Sequence, residues 1–248
     1  MTFSLREHHI RAVVVDIEGT TTPVSFVYDV LFPYARTALP TFVREHLDDA
    51  ELRDTWQLMR DDRAQDVKRG ESPPGWRDDG REQRIASTVA YAEWLMDRDR
   101  KAPGLKSLQG HIWKRGYETG ELRGEVYPDV PDAFARWRAA GMRIAIFSSG
   151  SVLAQQLLFR TTASGDLTRL IDAWFDTGVG PKATPDSYRR IADALGCPAD
   201  ALLFISDTEA EIDAARAAGW TVLLCVRSPG GPVPEAPFDT IRSFNSIA

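Results

Sequence analysis

Cysteine is scarce in this sequence. The 248 residues include two, Cys197 and Cys225, and neither has a second Cys or a His at metal-ligand spacing. Zinc ribbons and fingers need such pairs, so the sequence gives no basis for a site of that kind. We expect both thiols to be reduced and buried.

Excess positive charge is also missing. Lys and Arg number 30 against 36 Asp and Glu, which gives a formal net charge of -6. Nucleic-acid binding needs a concentrated basic face that neutralises phosphates, so the balance argues against a nucleic-acid partner. A small anionic ligand would need positive charge placed locally at its own site.

Long hydrophobic runs are absent as well. The first residues carry Arg6, Glu7 and His8 where a signal peptide would need an uninterrupted apolar stretch, and no later apolar run reaches membrane length. Hydrophobic residues still make up 43% of the chain and charged residues 27%, a balance typical of folded globular proteins. We therefore expect a cytoplasmic protein without a membrane partner.

Short apolar runs without polar alternation recur along the chain. They predict strands buried on both faces, as in a parallel sheet covered by helices. The five runs are Ala12 to Val15, Met142 to Phe147, Ala173 to Phe175, Ala201 to Ile205 and Thr221 to Val226.

Helical patterns separate these runs. They cover Pro131 to Ala140, Ser151 to Thr161, Pro185 to Leu195 and Glu209 to Ala218. Gly141, Gly196 and Gly219 stand where three of them should end, in the left-handed capping position. The alternation predicts an α/β fold, a doubly wound parallel sheet.

A region without strand patterns interrupts this alternation. We predict a helical cap over residues 21–120, inserted after the first strand of a core formed by residues 1–20 and 121–248. Its helices should span Phe26 to Glu45, Ala50 to Lys68, Arg81 to Arg100 and Leu105 to Thr119. We expect its aromatic residues to pack in its core, namely Trp56, Trp94, Trp113 and Tyr117. Near the other end of the chain, Ser228 to Pro237 should form an exposed loop.

Polar residues follow the predicted strands where an open parallel sheet binds ligands, outside the carboxyl ends of its strands. Asp16 and Glu18 follow the first strand, and Ser148 and Ser149 follow the second. Asp207 follows the fourth, and Lys182 precedes a helix. We expect these residues to form one site, as listed: Asp16, Glu18, Ser148, Ser149, Lys182 and Asp207.

Phosphoryl transfer to a carboxylate fits these residue types. A carboxylate that approaches a phosphate meets repulsion on the order of several kcal/mol, so positive charge is required. Asp16 and Asp207, with a backbone carbonyl and water, suit Mg²⁺, and Lys182 adds a second cation. Ser148 or Ser149 offers hydrogen bonds to phosphate oxygens. Asp16 would be the nucleophile.

Each position also has an ordinary structural interpretation. Asp16 could simply end a strand before a glycine turn. Ser148 and Ser149 could cap the following helix, and Asp207 could cap the helix that starts near Glu209. A single lysine such as Lys182 is usually a solvated surface charge. The placement of all these residues after successive strands favours the site.

The same residues resemble a known family, the enolase-phosphatases of methionine salvage in the haloacid dehalogenase superfamily. The resemblance runs nearly end to end. The similar segments are DIEGT, TTPVSFVYDVLFPYA, LQGHIWKRGY, AGMRIAIFSSGSVLAQQLLF, FDTGVGPKATPDSYRRIADALGC and LLFISDTEAE. Most of the superfamily has a second aspartate where this chain has Glu18, and the narrower family shares the glutamate.

The resemblance implies a monomeric enzyme with one Mg²⁺ ion. Asp16, Glu18 and Asp207 would bind the metal, and Ser148, Ser149 and Lys182 would bind the substrate phosphate. The implied substrate, a small phosphate ester, is 2,3-diketo-5-methylthiopentyl 1-phosphate. It is enolised and then dephosphorylated to 1,2-dihydroxy-3-keto-5-methylthiopentene. An acid after Asp207 should support the metal, and the candidates are Glu209, Glu211 and Asp213.

Two questions stay open at the level of sequence. The base for enolisation could be Glu18 or a cap residue, and His111 could either carry protons or pack. The rival functions are a general capped phosphatase of sugar phosphates or phosphoglycolate, a phosphomutase, and an inactive phosphate-binding module.

Overall fold

The computed structural model describes residues 2–228 and 238–248, and these contain six strands and eight α-helices. The strands are Ala12–Val15 (β1), Arg143–Phe147 (β2), Ala173–Phe175 (β3), Leu202–Ser206 (β4), Thr221–Cys225 (β5) and Thr240–Ile241 (β6). Most of the loop predicted over Ser228 to Pro237 lies outside the described residues, since 229–237 are not among them.

Four α-helices precede β2 in the region without strand patterns. They are Phe32–His46 (α1), Arg53–Lys68 (α2), Arg81–Met96 (α3) and Pro103–Thr119 (α4). The other four are Val130–Ala139 (α5), Val152–Arg160 (α6), Pro185–Leu195 (α7) and Glu209–Ala217 (α8). The predicted elements around the sheet are therefore present, and their ends agree within one residue.

The sheet is parallel throughout, with strand order β3-β2-β1-β4-β5-β6. β1 lies inside the sheet between β2 and β4, and all four of its residues, AVVV, are buried. The strand order reverses beside β1, since β2 and β3 lie on one side and β4, β5 and β6 on the other. The predicted doubly wound α/β fold is confirmed. Ligands bind such sheets at the reversal point, beyond the carboxyl ends of the strands.

The contacts divide the chain into two compact units. The core unit comprises Met1–Val27 and Arg123–Ala248, and the helical unit comprises Tyr28–Leu122. The predicted cap covered residues 21–120. The helical unit begins at residue 28 and ends at residue 122. Its role as a cap stays a prediction.

Glycines end three helices of the core unit as predicted. Gly141, Gly196 and Gly219 have φ angles of 81°, 58° and 89°, which glycine adopts without strain. Cys197 and Cys225 are buried and form no disulfide, which confirms the expectation from their spacing.

Two helix predictions in the helical unit were wrong at their ends by four residues or more. The other two differ less, because residues Ala50–Leu52 form a 3-10 helix before α2, and α4 begins at Pro103 and not at Leu105. The helix expected from Phe26 begins instead as a π-helix, Phe26–Leu31, and α1 follows with Pro33 in its first turn, where the missing N–H interrupts the hydrogen-bond ladder. The helix expected to reach Arg100 ends at Met96. Arg100 leaves the helix and pairs with the buried Asp66, with 2.6 Å between Nη2 and Oδ1.

The aromatic residues of the helical unit pack in its interior. Trp56, Trp94 and Tyr117 are buried, and the partly buried Trp113 donates a hydrogen bond from Nε1 to the Leu31 carbonyl at 2.9 Å. His111 is half-buried, and burial lowers the pKa of its ring.

Candidate active site

The carboxyl edge of the sheet brings Asp16 and Asp207 to neighbouring positions. β1 and β4 pair in register, Val15 beside Ile205, and the Asp16 N–H donates to the Ile205 carbonyl at 3.0 Å. Asp16 is buried, being 5% exposed. The two carboxylates therefore follow adjacent strands at the point where the strand order reverses.

Gly19 explains how the turn after Asp16 approaches Asp207. Its φ is +71°, and a Cβ built on it would lie 2.0 Å from Oδ2 of Asp207. The Asp207 carboxylate therefore packs directly against the Gly19 backbone, where any larger residue would displace it. Thr21 fixes the same turn by donating from Oγ1 to the Asp16 carbonyl at 3.0 Å.

Lys182 joins this group from the loop before α7. Its Nζ lies 2.5 Å from Oδ1 of Asp16 and 2.6 Å from Oε2 of Glu211. Tyr188 donates from its hydroxyl to the Lys182 carbonyl at 2.7 Å, which anchors the lysine backbone to α7. The lysine side chain is 9% exposed. The interpretation of Lys182 as a solvated surface charge is therefore wrong.

Of the three acids that the sequence left undecided, Glu211 is the one that contacts the other candidate site residues. It lies in the first turn of α8, contacts Lys182 and accepts a hydrogen bond from Ser206 Oγ at 2.9 Å. Glu209 and Asp213 are exposed. The sequence signal was the distance from β4, because Glu211 stands one helical turn after Asp207 and so faces back over the sheet edge.

The serines after β2 complete the edge on the other side of β1. Val15 pairs with Ile146, so Ser148 follows the neighbouring strand at a matching height. Ser148 is buried, and its Oγ accepts from the Gly150 N–H at 3.2 Å. Lys182 Nζ lies 5.6 Å from the centre of the Phe147 ring, so this strand end is close to the lysine. Ser149 is partly buried.

Neither helix start uses the predicted residues as caps. Ser151 caps α6 by accepting from the Ala154 N–H at 3.3 Å, so Ser148 and Ser149 are not its caps. Thr208, and not Asp207, occupies the capping position of α8. Asp176, which the sequence reasoning missed, also accepts from the Val152 N–H at 3.3 Å.

Electrostatic repulsion is built into the group. Asp207 is exposed as a whole residue, but desolvation of its carboxylate, which packs against Gly19, and the charge of Asp16 raise its pKa. The same two causes raise the pKa of Glu211, and the nearby ammonium offsets them only in part. Burial alone would lower the pKa of Lys182, but the carboxylates of Asp16 and Glu211 raise it. Three carboxylates thus share one ammonium, and a further cation would relieve the repulsion.

The donor set fits Mg²⁺. Within the described residues, no group of three or more His, Cys, Asp and Glu side chains is arranged to hold a metal ion. Mg²⁺ does not need such a group, because it binds through one or two carboxylates and keeps several waters. Asp16 and Asp207 supply two carboxylates, and the turn at Glu18 supplies backbone carbonyls. The partly buried Glu18 follows Asp16 by two residues, and its backbone forms a bridge with Thr22.

Comparison with known proteins identifies the family. Residues 10–219 match the family model of the haloacid dehalogenase-like hydrolases. Enolase-phosphatase E1 of Synechococcus elongatus is 46% identical over 238 residues, which cover 96% of this chain and 98% of that protein. The chain belongs to the enolase-phosphatase E1 family. The family indicated by its sequence motifs is confirmed, and with it the phosphatase class of hydrolase.

Two further proteins are similar to this chain over most of its length. A probable bifunctional methylthioribulose-1-phosphate dehydratase/enolase-phosphatase E1 of Populus trichocarpa is 46% identical over 244 residues, covering 96% of this chain and 47% of that protein. The crystal structure of the UTR4 protein of Saccharomyces cerevisiae has a TM-score of 0.75 and 32% identity, over 95% of this chain and 99% of that one. No helix among residues 2–228 and 238–248 is long and apolar enough to cross a membrane.

Proposed function

We propose that this chain converts 2,3-diketo-5-methylthiopentyl 1-phosphate into 1,2-dihydroxy-3-keto-5-methylthiopentene and phosphate. The observation that carries the proposal is the extent of the match to enolase-phosphatase E1, which covers 96% of this chain and so includes the helical unit. A general phosphatase of the same superfamily would share the core residues without this level of sequence identity across the helical unit.

The second activity named for the Populus relative supports the proposed substrate. That protein's name joins a methylthioribulose-1-phosphate dehydratase to the part that matches this chain. Loss of water from methylthioribulose 1-phosphate turns two neighbouring hydroxylated carbons into one CH₂ group and one ketone. The product is a 2,3-diketone that keeps its phosphate on C1, which is the substrate proposed here.

Asp16 is the proposed nucleophile. A carboxylate oxygen attacks phosphorus, the bond between phosphorus and the C1 oxygen breaks, and an aspartyl phosphate forms, which water then hydrolyses. Lys182, at 2.5 Å from Asp16, holds the carboxylate in place and offsets charge on the phosphoryl group. Ser148 and Ser149, after the neighbouring strand, are the proposed hydrogen-bond donors to the phosphate oxygens.

Asp16, Asp207 and the backbone of Glu18 are the proposed holders of one Mg²⁺ ion. The support is the excess of carboxylates at this sheet edge, together with the raised pKa values of Asp207 and Glu211. Bound there, the ion would supply positive charge to phosphate oxygens and to the oxygen of an enolate. Glu211 would support the site through Lys182.

Glu18 is the proposed proton carrier for both steps. It removes a proton from C1 while the electron pair moves onto the C2 oxygen, and the resulting enolate takes a proton from water to give the enol. Glu18 then holds the proton that the leaving C1 oxygen needs when its bond to phosphorus breaks. One residue therefore takes up the proton in the first reaction and supplies it in the second.

The monomeric state and the cytoplasmic location stay predictions.

The test mixes purified protein, Mg²⁺ and the diketone phosphate while enol absorbance and free phosphate are followed together. We expect enol to form before phosphate, and Asp16→Asn to release no phosphate. Phosphate released without any enol would favour the general phosphatase instead. A protein that releases phosphate neither from this substrate nor from a chromogenic ester would be the inactive binding module.

A further inference from the structure

A second polar cluster lies at the same edge of the sheet, two residues beyond the end of β5. Its centre is Arg227, whose Nε and Nη2 both donate to the carbonyl of Thr20, at 2.9 and 2.7 Å. Thr20 belongs to the turn that carries Asp16 and Glu18. A single guanidinium thus holds the backbone of this turn with two hydrogen bonds to one carbonyl.

The guanidinium is itself rigidly held. Its Nη1 donates to both carboxylate oxygens of Asp129, at 2.9 and 2.7 Å. The rings of Tyr127 and Phe244 lie 4.3 and 4.6 Å from its central carbon. The Arg227 side chain is 8% exposed. Arg227 therefore has little freedom to move, and the position it gives to the Thr20 carbonyl is well defined.

Asp129 is fixed from the other side. Its Oδ2 accepts from Ser243 Oγ at 2.7 Å and from the Phe244 N–H at 2.6 Å. The carboxylate neutralises the charge of Arg227 within a buried pair. A phosphate ligand would have to displace this carboxylate, so the geometry suits Arg227 to hold backbone and not to bind substrate.

The turn gains a second tether nearby. The Tyr127 N–H donates to the Thr21 carbonyl at 2.9 Å, so two consecutive carbonyls are held from the same cluster. Thr21 in turn donates from Oγ1 to the Asp16 carbonyl at 3.0 Å. A displacement of Thr20 would therefore also move Gly19, and it would move Asp16 through the hydrogen bond from Thr21.

We propose that Arg227 is a positioning residue for phosphoryl transfer, acting through the Thr20 carbonyl. The inference rests on the proposed function, because it assumes that Asp16 and Glu18 carry the chemistry. A carboxylate displaced by about 1 Å from its attacking position can cost on the order of 100-fold in rate. Arg227 would prevent that displacement without touching the substrate.

The experiment compares Arg227→Ala with Arg138→Ala, a control from a more exposed ion pair. Arg138 also makes a bidentate bond to a carboxylate, that of Asp172, at 2.7 and 2.6 Å. That pair belongs to the same unit but lies at the opposite edge of the sheet. We expect kcat of Arg227→Ala with the diketone phosphate to fall by about 10- to 100-fold while KM changes less than about twofold. Arg138→Ala should keep both constants.

Chemical rescue separates positioning from loss of stability. Guanidinium ion at a non-denaturing concentration should restore kcat of Arg227→Ala at least fivefold, because it can take the place of the lost guanidinium near the two rings and beside Asp129. Methylammonium, with the same charge but without the planar set of donors, should not. A structural defect would be worsened by guanidinium, so absence of rescue in folded protein would overturn the proposal.

A second variant keeps the test decisive if Arg227→Ala does not fold. Arg227→Lys keeps a cation beside Asp129 but cannot place two donors on the Thr20 carbonyl, so it should lose kcat to a similar extent. Unchanged kcat in this variant would overturn the inference. If the unmutated protein fails on the diketone phosphate, the proposed substrate is wrong, and the same comparison is made with p-nitrophenyl phosphate.

Discussion

Lys182 and Asp16 form a buried ion pair of 2.5 Å across 166 residues of sequence. The same ammonium lies 2.6 Å from Glu211, so one cation serves two carboxylates that are 7% and 14% exposed. Burial makes such a group sensitive to loss of a single charge, because the remaining charges cannot be solvated. Stability and chemistry at this edge of the sheet therefore depend on the same atoms.

Replacement of Lys182 by Met should be strongly destabilising. Two buried carboxylates would be left without their shared cation, and removal of one partner of a buried pair costs about 3–5 kcal/mol in the free energy of unfolding. Urea unfolding in the presence of a chelator measures this loss in the free energy of unfolding. Adding Glu211→Gln to Lys182→Met should recover part of the loss.

An exposed pair of the same kind provides the control. Arg189 contacts Asp186 with both side chains more than half exposed, at 58% and 65%. Arg189→Met should cost less than about 1 kcal/mol. Equal losses for Lys182→Met and Arg189→Met would contradict the view that burial sets the effect.

Asp207→Asn should stabilise the metal-free protein at neutral pH. Partial desolvation of its carboxylate and the charge of Asp16 raise the pKa of Asp207, so the folded state binds its proton more tightly than the unfolded state does. The stabilising contribution is present at low pH and is lost as the pH rises through the raised pKa. At neutral pH the ionised carboxylate therefore opposes folding, and an amide removes that cost.

Thermal unfolding with a chelator at several pH values tests this prediction. The advantage of Asp207→Asn should be present at about pH 7 and should vanish below about pH 3.9, where the carboxyl is protonated in both states. Mg²⁺ should then raise the midpoint of the unmutated protein but not that of the variant. If the variant is less stable than the unmutated protein at neutral pH, the ionised Asp207 carboxylate does not oppose folding, and the prediction is wrong.

The sheet and most of the site could be predicted because each depends on local pattern. Four buried residues such as AVVV in β1 suit only a central parallel strand, and ligand residues must then follow the strand ends. The residues expected after β1, β2 and β4 do follow these strands in the structure, and their roles in the site stay predictions. Lys182 has no such signal of its own, and only its placement before a predicted helix suggested it.

Other features could not be predicted because they depend on contacts between distant residues. The bonds from Arg227 to Thr20 span 207 residues, and neither residue has a local pattern that points to the other. Glu211 had a local signal, one helical turn after Asp207, but its contact with Lys182 also depends on the position of α8. Arg100 was assigned to a helix because its pairing with Asp66 is invisible in sequence.

Glu18→Gln should abolish both enol formation and phosphate release. The amide cannot accept the C1 proton, and it cannot protonate the leaving oxygen or activate water. Asp16→Asn differs in a useful way, because it removes the nucleophile and leaves the proposed base. Rapid mixing with Mg²⁺ and the diketone phosphate should show enol without phosphate for Asp16→Asn and neither product for Glu18→Gln. Full enolisation by Glu18→Gln would assign the base to another residue.

Gly19→Ala should eliminate most activity through a direct clash with Asp207. The new Cβ would lie 2.0 Å from Oδ2 of Asp207, so the carboxylate must leave its place beside Asp16. The backbone strain alone is about 1–2 kcal/mol, since φ is +71° at this position. Phosphate release and the Mg²⁺-dependent shift of the thermal midpoint should both fall sharply.

Gly141→Ala separates the clash from the strain. Gly141 has a similar φ of +81°, and nothing lies within 4 Å of a Cβ placed there. Gly19→Ala should therefore lose at least as much stability as Gly141→Ala in the absence of Mg²⁺, while Gly141→Ala keeps its phosphatase activity and its response to the metal. If Gly19→Ala retained both as well, Asp207 would not need its place against the turn, and its assignment as a metal ligand would fail.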